Sequence, residues 1–92
     1  MTYRLNRATL SVSPEYADLT DLPPESFAAP QAAVDAARSF VRTYVGTEIP
    51  RANVMREKVG YRNVRNAPRI IFRAWRKLDG TYVEQLSKLK TI

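Results

Sequence analysis

The chain predicts an α+β fold: an antiparallel sheet of about four strands with one main α-helix packed on one face. Three patterns carry that expectation. Residues 3–13 alternate apolar and polar side chains, residues 30–46 repeat apolar side chains at helical spacing, and an Asp-Gly pair at 79–80 separates two runs rich in β-branched and aromatic residues. Ninety-two residues suit a single domain spanning 1–92, with one modest core.

In chain order, "YRLNRATLSVS" places Tyr3 and Leu5, then Ala8, Leu10 and Val12, on alternating positions. The parity slips near Asn6–Arg7, which predicts a strand with a bulge there. "SPEYADL" follows, with Ser13 as an N-cap, Pro14 at the first helical position and Glu15 behind it, and predicts a short helical turn. "DLPPESFAAP" is the most loop-like stretch. "PQAAVDAARSFVRTYVG" predicts the main helix: Pro30 opens it, Val34, Ala37, Val41, Tyr44 and Val45 share a face with Phe40 at its edge, and Gly46 supplies a left-handed stop. "ANVMREKVGYRNVR" predicts one or two further strands.

Residues 69–88 admit two structures. Ile70, Ile71, Ala74, Trp75 and Leu78 fit a helical stripe between Pro68 and Gly80. A hairpin is favoured, because Asp79–Gly80 is a strong turn signal and Thr81, Tyr82 and Val83 suit a strand. With a two-residue turn, Lys77 pairs with Tyr82 and Trp75 with Glu84. Ile70, Phe72, Ala74, Leu78 and Val83 then face the helix, with Arg76 near the tip. Ile71, Arg73, Trp75, Lys77, Tyr82, Glu84 and Lys88 occupy the other face.

Charge is unevenly spread along the chain. Residues 1–50 hold four bases against six acids, whereas residues 51–92 hold eleven bases against three acids. The stretch "GYRNVRNAPRIIFRAWRK" places bases at 62, 65, 69, 73, 76 and 77, interleaved with Tyr61, Phe72 and Trp75 and with no acid among them. Cations neutralise phosphates and aromatic rings accept base faces, so this pattern suits a nucleic acid or a complex that contains one. The candidate binding residues are Arg62, Arg65, Arg69, Arg73, Trp75, Arg76, Lys77 and Tyr82. A solvated sheet face also alternates bases with apolar residues, and for each aromatic taken singly cross-strand packing is the plainer account.

Catalysis has few materials here. Histidine and cysteine are both absent, which removes Ser-His, Cys-His and zinc chemistry, and the three glycines lie too far apart for a phosphate-cradling loop. Neither an enzyme, a cofactor nor a metal site is expected. The acids Glu15, Asp18, Asp21 and Glu25 have a spacing that would suit Mg²⁺, but the favoured reading is a solvated patch that keeps nucleic acid off that side or meets a basic protein surface. A helix-turn-helix over "AARSFVRTYVGTEIPRANVMREKVG" is weighed and disfavoured: Arg42 stands where a small residue is required. No apolar run reaches membrane-span length, and the start lacks the core of a signal peptide, so a soluble, cytoplasmic chain without membrane contact is expected.

Across nearly its whole length the chain resembles small phage-encoded anti-CRISPR proteins that inhibit the type I-F surveillance complex. The likeness rests on "TYRLNRATLSVS", "PQAAVDAARSFVRTYVG" and "RNVRNAPRIIFRAWRKLDGTYVEQL". It implies a non-enzymatic inhibitor acting by occupation inside the host bacterial cell, and a monomer is expected. Such an inhibitor would dock on Cas protein subunits near the guide RNA and block target-DNA binding or hybridisation. Two other classes stand beside it: a small basic nucleic-acid-binding protein (a regulator or ribosome-associated), and an adaptor indifferent to nucleic acid.

Overall fold

A computed structural model of the chain describes residues 2–13, 15–57 and 69–86. The elements run β1 (Thr2–Val12), β2 (Ala17–Asp21), β3 (Glu25–Phe27), α1 (Pro30–Thr43), β4 (Ile49–Glu57), β5 (Arg69–Arg76) and β6 (Tyr82–Leu86). The class is α+β as expected, but the antiparallel sheet has six strands instead of about four. Its order is β2-β1-β4-β5-β6, with β3 also paired to β1. The two extra strands fall where a helical turn and a loop were expected. β2 aligns Ala17, Leu19 and Asp21 with Val12, Leu10 and Ala8 of β1, and β3 aligns with Tyr3–Leu5.

Register assigns the two faces. Leu5 of β1 lies opposite Val54 of β4, which lies opposite Phe72 of β5, and one step along Ala52 lies opposite Ala74. These residues pack against Ala33, Val34, Ala37 and Val41 of α1, and together they form the buried core. Four of those nine core residues are alanine, so the helix approaches the sheet closely and Phe72 supplies most of the aromatic bulk. The intervening residues point to the opposite face, which no helix covers among the described residues.

Several local expectations change. β1 keeps one unbroken register with β4 from Thr2 to Leu10, so it has no bulge at Asn6–Arg7. The slip in its apolar pattern marks a change of face: Tyr3 and Leu5 join the helix side, whereas Ala8, Leu10 and Val12 lie on the open side. The register shift sits instead between Val54 and Met55 opposite β5, and it turns Ile71 toward the core and Ile70 away from it. Ser13 does cap, but it caps a hairpin turn: its Oγ accepts from the amides of Glu15 and Tyr16. Residues 49–57 form strand β4, which removes the helix-turn-helix.

The helix opens at Pro30 as expected but ends at Thr43, short of Gly46. Tyr44 is its C-cap in extended conformation, and Val45 is 92% exposed beyond it. Gly46 serves close packing: a Cβ there would meet the Tyr44 hydroxyl at 2.9 Å and a Glu48 carboxylate oxygen at 3.1 Å. Those two side chains share a 2.7 Å hydrogen bond that holds Tyr44 above and Glu48 below their usual pKa values.

Candidate nucleic-acid interface

Residues 69–76 form a strand, and the favoured hairpin with β6 is present. Its turn is one residue longer than expected. The Gly80 amide donates to the Lys77 carbonyl and the Lys77 amide to the Thr81 carbonyl, which leaves Leu78, Asp79 and Gly80 as the loop. Gly80 takes φ +92, the left-handed residue that a three-residue hairpin loop requires. Arg76 therefore pairs with Tyr82, Trp75 with Val83 and Ala74 with Glu84. A slip of one residue turns every β6 side chain over. Tyr82 and Glu84 move to the helix side and Val83 to the open side, reversing the expected placement of all three.

The expected binding residues thus separate. Arg73, Trp75 and Lys77 stand together on the open face. Arg76 lies on the helix side, where its guanidinium donates to the carbonyls of Val41 (3.1 Å) and Tyr44 and so terminates α1. Tyr82 lies beneath the Arg42 guanidinium, 4.6 Å from its ring centroid, and its hydroxyl donates to Glu84. Glu84 accepts two 3.0 Å hydrogen bonds from Arg38, whose guanidinium also sits over the Phe72 ring. Arg38 and then Tyr82 hold the Glu84 carboxyl below the usual range, while burial and then Glu84 raise the Tyr82 phenol. Arg69 is exposed opposite Arg56, past the register shift and off the open face. Arg62, Arg65 and Lys88 lie outside the described residues.

Two neighbouring strands, β4 and β5, build the interface around Trp75. Arg51 of β4 is its direct cross-strand neighbour, and Arg73 of β5 and Lys77, the residue just past the end of β5, flank it two positions away along the chain. Opposed side chains lie about 5 Å apart and same-face neighbours about 6.6 Å, so three cations surround one half-buried indole. The ion pairs of the described residues, Arg7–Glu25, Arg38–Asp35 and Arg38–Glu84, all involve helix-side bases. Arg51 and Arg73 make no ion pair with any described residue.

Beside this cluster a half-open recess of about 220 Å³ is lined by eight residues, among them Asn6, Arg7, Ala8, Leu19, Asp21, Arg51 and Asn53. Sequence reasoning did not place Arg51, Asn53, Asn6 or Asp21 in the site, and it read Asp21 as part of an acidic patch that keeps nucleic acid off or meets a basic protein surface. The signal for the first pair was legible: in "RANVM" the polar Arg51 and Asn53 alternate with apolar Ala52 and Val54. Among the described residues no group of three or more acids could hold a metal ion. No helix among them is long and apolar enough to cross a membrane.

No family model matches the chain, and neither the curated proteins nor the solved structures contain a match to it.

Proposed function

We propose that the protein is a non-catalytic binder of single-stranded nucleic acid, either free or displayed by a ribonucleoprotein, and that the uncovered sheet face receives it. The observation that carries this is Trp75 held among Arg51, Arg73 and Lys77 on one face. An indole offers a stacking surface worth roughly 1–3 kcal/mol per base, and the surrounding cations offer partners for the phosphates on either side of that base. A sheet presents such a group broadside, which suits unstacked bases and not the closed stack of a duplex. On the helix side Arg7, Arg38, Arg42 and Arg76 are engaged in contacts within the fold, which favours the open side for the polyanion.

A narrower proposal is an inhibitor of a type I-F guide-RNA surveillance complex, which draws on the resemblance of β1, α1 and the β5–β6 hairpin. The surface suits such a partner in having two signs. β2, with Asp18, is an exposed edge strand separated from β5 by two strands in the sheet order, available to a lysine-rich protein surface.

Trp75 is the chain's single tryptophan, so its fluorescence reports the site directly. Titration with a single-stranded oligonucleotide near physiological salt should quench the emission, and the apparent affinity should fall steeply as salt rises. Binding that leaves Trp75 emission unchanged and survives Trp75→Ala would refute this site. Failure of naked oligonucleotides alongside tight capture by the reconstituted surveillance complex would select the inhibitor.

A further inference from the structure

The recess beside Trp75 has a chemistry of its own. Its floor is Ala8, the smallest side chain along that row of the open face. On one side Ala8 pairs with Asp21 of β2, and on the other with Arg51 of β4. Adjacent strands lie about 4.8 Å apart, so the Asp21 and Arg51 backbones stand roughly 9.6 Å apart across the alanine. The two side chains form no ion pair, although both line the recess. Asn6 and Asn53, which oppose each other in the next row, close one end, and Leu19 adds an apolar flank. A carboxylate and a guanidinium therefore face one gap from opposite sides, with a stacking indole directly across the ladder from Arg51.

We infer that this recess is a base-reading pocket selective for guanine within the single strand held on the sheet. The inference deepens the proposed function and rests on it. Of the four bases, guanine alone carries two adjacent donors on one edge, N1–H and N2–H₂, and two adjacent acceptors on another, O6 and N7. The Asp21 carboxylate is acceptor-only and matches the donor edge with both oxygens. The Arg51 guanidinium matches O6 and N7 with two parallel N–H groups, the commonest specific pairing of an arginine with a base. Uracil offers a single donor, and adenine and cytosine bring one amino group without a neighbouring N–H. Each of them leaves part of the carboxylate without a partner once water is displaced. Ala8 makes the gap, and a longer side chain there would fill it.

The test compares two labelled RNA oligonucleotides of equal length near physiological salt: uridines only, and uridines with isolated guanosines. Wild-type protein should bind the guanosine-containing strand about tenfold more tightly, the lower range of one good bidentate contact. Asp21→Asn replaces one acceptor oxygen by a donor that opposes N2–H₂, and should abolish the preference while leaving affinity for the all-uridine strand within about twofold. Ala8→Leu should do the same by occupying the recess, with no change of charge. Equal binding of both strands by wild-type protein overturns the guanine pocket and leaves the nucleic-acid face standing. A preference that persists in both variants also overturns it, by placing the discrimination elsewhere. If neither strand binds, the binding of free single strands fails and this inference fails with it, leaving only the ribonucleoprotein-directed reading of the proposed function to be tested on the assembled complex.

Discussion

Two aromatic residues three positions apart on β5 illustrate how much a single side chain's face decides. Phe72 is fully buried under α1, and Arg38 lies over its ring. Phe72→Ala should cost about 3–5 kcal/mol, enough to unfold much of so small a domain, which chemical denaturation would register. Trp75 stands on the open face, so Trp75→Ala should leave the melting temperature within a few degrees and lower oligonucleotide affinity about tenfold or more. Arginines divide the same way. Arg76→Gln removes guanidinium hydrogen bonds from the end of α1 and should destabilise by about 1–2 kcal/mol without altering nucleic-acid affinity. Arg73→Ala should do the reverse. Glu84 adds a pH signature. Its carboxyl is depressed by Arg38 and Tyr82, so its contribution is complete above the unfolded value of about 4.3 and is lost as pH falls through the lower folded value. Melting temperatures of wild type and Glu84→Gln should therefore differ at neutral pH and converge in acid.

At the scale of elements, the helix and the hairpin were legible because each carries its own local signal. Pro30 and the 34/37/41 spacing mark α1, and Asp79–Gly80 marks the turn between β5 and β6. What the local signal left open was the loop length. Asp-Gly occurs in both two- and three-residue hairpins, and the choice here is expressed in Gly80 at φ +92 and in Asp79 accepting from the Thr81 amide. That one-residue difference moved Tyr82 and Glu84 from the expected binding face into the helix-side network. β2 was illegible for a different reason: all five of its residues are exposed, so no buried face marks it and it is held by pairing with β1. Two substitutions test these elements. Nothing lies within 4 Å of a Cβ built on Gly80, so Gly80→Ala should cost only the left-handed backbone term, about 1–2 kcal/mol. The N-cap of α1 is Ala29, with no side-chain hydrogen bond to the helix. Ala29→Ser should raise stability by about 1 kcal/mol, measured by denaturant midpoint at constant m-value.

Over the whole molecule, charge and layering coincide. The helix layer holds Arg38 with Asp35 and Glu84 and Arg76 with the carbonyls at the end of α1, whereas Arg51 and Arg73 have no such partner among the described residues. Replacing Arg51, Arg73 and Lys77 together by alanine should reduce the slope of log affinity against log salt by about two, since each single-strand phosphate contact contributes about 0.7. The strand order has a further effect, on the route by which the chain reaches this state. β1 is made first, yet its principal partner β4 begins almost forty residues later and β5 later still. The β1–β2 hairpin can close early from neighbouring residues. The apolar stripe of α1, in contrast, has nothing to cover it until Val54 and Phe72 have left the ribosome. Refolding should accordingly be governed by the slow docking of distant strands, and a chain released before residue 72 would expose Val34 and Val41 to its neighbours and aggregate.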